Sequence, residues 1–254
     1  MPDPSGRPRI LILGGTVEAR QLADAVVGRY GDAADPISAL AGRLERRPQL
    51  SGRMRVGGFG GIAGMVTYLR DERIDLLVDA THPFASIVSR HAEEAAEQAN
   101  VPRLTLVRPP WRAGDGDDWR EVDDMATAAT LLPSLGSRFF LTTGVGGLAA
   151  YAAVADAWFL VRLMEAAKTS LPLPRHATVL GKPPYVAGEE RRLMTEYGIE
   201  AVVSKNSGGA ATEAKLVAAR ELGLPVVMVR RPNPPRGERV ETVAAALGWL
   251  ERRI

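Results

Sequence analysis

The stretch Arg9-Ile10-Leu11-Ile12-Leu13-Gly14-Gly15-Thr16-Val17-Glu18-Ala19-Arg20 is a short apolar run, two glycines, a threonine and a helix-forming segment. A strand buried on both faces of a parallel sheet reads as such a continuous apolar run. The glycines mark a tight turn from that strand into a helix, the opening unit of a doubly wound α/β sheet. Working outward, short β-rich runs alternate with Ala-rich helical ones, the pattern of βαβ units. Strands are predicted at 9–13, 36–40, 74–79 and 103–107, with helices at 17–29, 62–70 and 85–99. Pro109 to Asp118 reads as a linker. Beyond it strands are predicted at 139–142, 158–163, 178–180, 201–204 and 226–229, with helices at 147–154, 189–197, 212–222 and 241–252.

The two halves repeat one another. Val101-Pro102, a strand and Arg108-Pro109 recur as Leu224-Pro225, a strand and Arg231-Pro232, each proline displaced by 123 positions (102 to 225, 109 to 232). Leu13-Gly14-Gly15-Thr16 opens a helix, as does Leu141-Thr142-Thr143-Gly144. The expectation is two Rossmann-like, doubly wound parallel-sheet domains with a cleft between them, residues 1–112 and 113–254. Whether the last strand of each half pairs in its own sheet or exchanges is left open by the sequence.

Composition narrows the function classes. The 254 residues contain no cysteine, which excludes disulfides and thiolate metal sites, and no metal is expected. No apolar run approaches the ~20 residues of a membrane span, and the first apolar stretch is short for a signal peptide, so a cytoplasmic protein is expected. The formal charge is +2, without a dense basic block interleaved with aromatics, which gives nucleic-acid binding little support. Nearly all cations are arginine. The lysines are Lys168, Lys182, Lys205 and Lys215, all in the second half.

Several motifs fall at predicted strand ends, where doubly wound folds bind ligands. Gly14-Gly15-Thr16 lets backbone N–H groups approach a phosphate at a helix N-terminus, although it is not a full G-x-G-x-x-G. The second strand's tip, Ser38 to Arg43, lacks the acidic residue that grips NAD ribose; a hydroxyl and a guanidinium suit a 2′-phosphate and hence NADPH. Gly57-Gly58-Phe59-Gly60-Gly61 either passes backbone against a cofactor or is a turn before the next helix. In Asp79-Ala80-Thr81-His82-Pro83-Phe84-Ala85, Asp79 and His82 are candidates for proton transfer, with helix capping by Asp79 or Thr81 the other reading. Ser204-Lys205-Asn206-Ser207-Gly208-Gly209 offers an ammonium, an amide, a hydroxyl and glycine donors, a cradle for a carboxylate or phosphate. The loop around Lys168 either closes over a ligand or is a surface connection, while Lys182 and Arg231 add cations near strand ends. His91 and His176 read as structural.

Across essentially its whole length the sequence resembles the precorrin-6A reductase family. The resemblance rests on Gly14-Gly15-Thr16 with Glu18-Ala19, Gly57 to Gly61, Asp79 to Ala85, Thr142-Thr143-Gly144 and Lys205 to Gly209. It implies NADPH-dependent reduction of precorrin-6A to precorrin-6B in cobalamin biosynthesis, with hydride passing to C19 and a proton to C18 of the macrocycle. On that reading Gly14, Gly15, Thr16, Glu18, Ser38, Arg43, Gly58, Phe59, Gly60, Thr81 and His82 face the cofactor. Lys168, Lys182, Lys205, Asn206, Ser207, Gly208 and Arg231 face a polycarboxylate tetrapyrrole, which requires paired cations. His82 and Tyr185 are the candidate proton donors, and product hand-over to the next pathway enzyme is a further expectation. A sister branch reduces the cobalt-containing substrate, and no residue separates the two. A non-catalytic NADP-binding regulator is the alternative. A short-chain-dehydrogenase-like enzyme is disfavoured, because no Tyr-x-x-x-Lys pair occurs.

Overall fold

The computed structural model describes residues 6–42 and 50–254. The chain forms two units, Met1–Pro109 with Asn233–Ile254 and the continuous Pro110–Pro232. Each is built on a parallel six-stranded sheet. In the first unit β1 (Arg9–Leu13), β2 (Asp35–Leu40), β3 (Arg53–Val56), β4 (Leu76–Asp79) and β5 (Arg103–Leu106) are completed by the chain's last strand, β12 (Glu238–Val240), in the order β12-β5-β4-β1-β2-β3. The second unit holds β6 (Trp119–Val122), β7 (Arg138–Leu141), β8 (Trp158–Leu163), β9 (His176–Leu180), β10 (Ala201–Lys205) and β11 (Val226–Val229), in the order β6-β11-β10-β7-β8-β9.

Apolar residues on both sides of each strand force helices onto both faces. Ile10, Ile12, Val78 and Leu104 meet α1 (Val17–Tyr30) and α7 (Val243–Glu251), whose Trp249 and Leu250 are fully enclosed. Leu11, Leu13, Ile37 and Leu77 meet α2 (Gly61–Asp71) and α3 (Ser86–Ala99). In the second unit Phe140, Leu160, Val202 and Met228 meet α5 (Ala187–Glu196) and α6 (Ala214–Glu221). The alternate residues Phe139 and Phe159 lie with Tyr151 on the other face. The remaining helix, α4 (Met125–Leu131), follows β6.

The doubly wound fold class read from the sequence is the one observed, but the domain boundary differs. β6 follows β5 in the chain yet pairs with β11 of the second unit. β12 follows β11 yet pairs with β5 of the first. Counted by the internal repeat, the strand after β5 joins the second sheet and the strand after β11 joins the first, so residues 233–254 belong with the first unit rather than with a domain spanning 113–254. The helix expected at 147–154 is only a 3-10 turn over Leu148–Tyr151, following three glycines within four residues.

Candidate functional site

In both sheets successive strands run outward one way and then the chain returns to the other side of the first strand. This creates a switch point between β1 and β4, and another between β7 and β10. Ligands of doubly wound sheets bind beyond the carboxyl ends of the strands at this point.

At the first switch point Gly14 donates to the Ala39 carbonyl at 2.9 Å, drawing the turn against the end of β2. A Cβ on Gly14 would stand 3.1 Å from Leu40, whereas around Gly15, at φ +111°, nothing lies within 4 Å of one. Gly15 thus exposes backbone in a conformation that side chains rarely adopt. Thr16 caps α1: its hydroxyl accepts from the Ala19 N–H at 3.1 Å and donates to the Ala80 carbonyl at 2.7 Å. The Thr16 hydroxyl is therefore committed to the fold, and the backbone N–H groups are what the turn offers an anion. Glu18 forms a 2.8 Å ion pair with Arg108, which fastens the first turn of α1 beyond the end of β5.

Asp79 ends β4 and is only 1% exposed. One carboxylate oxygen accepts from the Thr81 N–H at 3.1 Å and the Thr81 hydroxyl at 2.7 Å; the other, Oδ2, is buried without a partner. Thr81 also meets the Ser89 hydroxyl at 3.1 Å, so the Asp79–Thr81 turn is tied to α3 rather than capping it. The Phe84 N–H donates to His82 Nδ1 at 3.2 Å. Nδ1 is thus an acceptor, and a neutral His82 carries its proton on Nε2.

The glycine run after β3 lies alongside. Gly57 donates to the Leu40 carbonyl at 2.9 Å. Arg55 reaches the Gly57 and Gly58 carbonyls and stacks over Phe59, 3.9 Å from its centroid. Phe59 itself packs edge-on against Tyr68 at 5.2 Å, so its ring anchors the loop. Gly60, in the left-handed region at φ +83°, then caps α2.

Two expected cofactor contacts fare differently. Ser38 lies inside β2 beside Ile12, 3% exposed, and offers no hydroxyl at the strand tip; the predicted tip began two residues too early. Arg43 lies outside the described residues. The open Gly15 backbone at a helix N-terminus and the orphaned Asp79 oxygen nearby fit a phosphate-bearing cofactor with hydrogen-bond donors of its own.

In the second unit the expected cations follow the ends of four of the six parallel strands, two on each side of β7. Arg231 lies beyond β11, Lys205 at the end of β10, Lys168 beyond β8 and Lys182 beyond β9. Lys168 and Lys182 are exposed, and Lys182 faces Glu165 at 3.9 Å. Burial pushes the Lys205 ammonium below the ordinary lysine value. Ser207 and Gly208 are buried beside it, Gly208 at φ +68°.

Asn206 has a different task. Its Oδ1 accepts from the Trp111 N–H at 2.8 Å and its Nδ2 donates to the Trp111 carbonyl at 3.1 Å. Its amide oxygen and one amide N–H hold residue 111, which makes the buried side chain a structural clamp. The stretch read as a linker is correspondingly fixed: Trp111 is buried under the Lys215 ammonium, 4.6 Å from its ring, and Asp117 takes a two-pronged contact from Arg220. Arg231 donates through Nε to the Asn206 carbonyl at 2.7 Å.

The Tyr185 hydroxyl donates to the Gly181 carbonyl at 2.8 Å, and its pKa is raised chiefly by burial, with Arg162 opposing and Glu190 adding. The phenol hydroxyl thus closes the Gly181–Tyr185 turn. The sequence reading also missed Arg162, Glu190 and Gly64. A Cβ at Gly64 would overlap the Phe59 carbonyl, and a lone helical glycine three residues into α2 is the only sequence signal of it.

A glycine cradle at one switch point and cations along the other sheet's carboxyl edge give this two-unit α/β chain the form of a ligand-binding doubly wound protein, and the family it matches is one of oxidoreductases. The chain belongs to the precorrin-6x reductase family, whose model, Precorrin-6x reductase CbiJ/CobK, matches residues 9–251. It is 46% identical to a precorrin-6A reductase of Rhodococcus erythropolis, over 95% of this chain and 97% of that one. A cobalt-precorrin-6A reductase of Priestia megaterium is 27% identical over 88% of this chain and 91% of its own. A solved CobK precorrin-6A reductase superposes with a TM-score of 0.91 at 38% identity, covering 97% of each chain.

Proposed function

We propose that the protein reduces precorrin-6A to precorrin-6B in cobalamin biosynthesis, using NADPH bound by the first unit and a tetrapyrrole held by the second. The observation that carries this reading is the division of labour between the two carboxyl edges. One presents open glycine backbone at a helix N-terminus, the other Lys168, Lys182, Lys205 and Arg231. The metal-free substrate is favoured over the cobalt form by the higher identity to relatives named for it.

When bound, NADPH supplies the hydride; the chain supplies position and charge. The backbone of Gly14, Gly15 and Thr16 would receive the pyrophosphate, and the backbone of Gly58, held by Arg55, and of Gly60 would border the cofactor. Arg43 is the remaining candidate for the 2′-phosphate. His82, with its proton on Nε2, is the proton donor of this reading. The four cations, with Ser207 and the Gly208 backbone, meet the carboxylates of the macrocycle. A cytoplasmic setting, and hand-over of product to the next pathway enzyme, complete the proposal.

The test is anaerobic absorbance with precorrin-6A or its cobalt form, and with NADPH or NADH in parallel. Loss of the precorrin-6A chromophore matched by NADPH oxidation is expected, and Arg43→Ala should weaken the preference over NADH. Tight NADPH binding without turnover of either tetrapyrrole would instead favour a regulator.

A further inference from the structure

We infer that the buried Arg162–Glu190 ion pair is a positioning device for the Gly181–Tyr185 turn, through which the second unit sets its grip on the tetrapyrrole. The inference rests on the proposal that this unit holds the substrate.

Arg162 stands on β8 and Glu190 in the first turns of α5; their ion pair is enclosed, the side chains 10% and 2% exposed. Such a pair is an unfavourable way to gain stability, since apolar residues of similar size commonly do as well or better. This one is also incompletely satisfied: Arg162 Nε and Glu190 Oε2 are buried without hydrogen-bond partners. What the pair achieves is placement. Glu190 holds the guanidinium between two rings, 5.0 Å from the centroid of Phe140 in the core and 4.3 Å from that of Tyr185. Tyr185 in turn bonds the Gly181 carbonyl through its hydroxyl and donates its N–H to the Ala211 carbonyl at 3.1 Å. A rigid column thus runs from the sheet to a five-residue turn and on to the loop that follows Lys205.

The turn carries Lys182 and is flanked by Leu180 and Val186, which are 56% and 58% exposed. A cation between two solvent-facing apolar side chains matches a ligand with an apolar ring and a carboxylate rim. Such a ligand is gripped only if the turn is held in register with Lys205.

Arg162→Lys tests this first, because it keeps the charge opposite Glu190 and loses the planar surface under Tyr185. The expected result is about a fivefold rise in both the KM and the directly titrated Kd for precorrin-6A, the scale of one lost cation–π contact. NADPH affinity and thermal stability should stay near those of the parent. The double variant Arg162→Met with Glu190→Leu should match or exceed the parent's melting temperature and still bind the tetrapyrrole weakly. Parent-like tetrapyrrole binding by Arg162→Lys overturns the inference, as does a double variant that only loses stability. Lys205→Met serves as the reference: parent-like binding there overturns the underlying assignment of the second unit, independently of Arg162.

Discussion

Lys205 ends β10 in a half-buried position, and burial lowers its pKa from the ordinary 10.5. The folded protein therefore binds the ammonium proton less readily than the unfolded chain does. Folding bears that penalty at every pH below the lowered value, and the penalty fades as pH rises toward 10.5, so free-protein stability gains across that window. Substrate affinity runs the opposite way, because a carboxylate needs the charged form. Tetrapyrrole affinity should fall on the alkaline side earlier than an unperturbed lysine would allow. Lys205→Met should abolish that limb, and Lys205→Arg should push it beyond reach. A binding titration against pH reads this directly, and an identical alkaline limb in Lys205→Met would remove Lys205 from the site. Asn206, its neighbour in sequence, should behave quite differently. Asn206→Ala strips two hydrogen bonds from the buried Trp111 backbone, and orphaning such groups costs about 2–4 kcal/mol. A drop in melting temperature with little change in the KM of the surviving folded enzyme is expected; a raised KM at unchanged stability would restore Asn206 as a substrate ligand.

At the scale of elements, the sequence revealed every central strand and, of the four edge strands, β9 alone. β1, β8 and β11 have the predicted bounds because apolar residues sealed on both faces dominate each. β3, β6 and β12 escaped prediction, and all three lie at sheet edges with charged residues in sequences such as Arg-Met-Arg-Val and Trp-Arg-Glu-Val. An edge strand is half solvated, so its pairing lies in the backbone and not in a hydrophobic signature. The site divides in the same way. The strand-end placement of the glycines and lysines was legible because it follows from the βαβ alternation of a doubly wound sheet. The backbone contacts of Asn206 and Tyr185 were not legible, because a polar side chain says nothing in sequence about which buried backbone group it serves. Gly64 shows the converse, an element's constraint hidden in one unremarked residue: its missing Cβ lets the Phe59 carbonyl lie against α2. Gly64→Ala would normally stabilise an exposed helix by about 1 kcal/mol. Here it should destabilise the protein and, by lifting the Gly57–Gly61 loop, weaken NADPH binding while tetrapyrrole binding stays intact. Calorimetric titration of the two ligands separates these effects, and a more stable variant with unaltered NADPH affinity would show the loop to be dispensable.

At the scale of the whole molecule, the internal repeat and the exchange of last strands fix how the chain must assemble. β5 and β11 are equivalent positions in the repeat, and the strand that follows each completes the other half's sheet. The second unit nevertheless remains continuous, because β6 precedes the rest of it. The first unit is closed only when β12 and α7 arrive from the far end of the chain. That closure is substantial: Ala246, Trp249 and Leu250 are at most 1% exposed within its core, and β12 covers what would be an open edge on β5. Losing a buried tryptophan and leucine alone costs several kcal/mol, on the order of 3–5 for each large side chain, comparable to the whole stability of a domain. Residues 110–232 expressed alone should therefore unfold cooperatively on heating, while residues 1–109 alone should not. Joining 233–254 to residue 109 through a short flexible linker should restore a cooperative transition and NADPH binding to the first unit. Circular dichroism melts and an NADPH titration on the three chains make the comparison. Cooperative melting of residues 1–109 by themselves would mean that the exchanged strand and helix decorate the first unit rather than complete it.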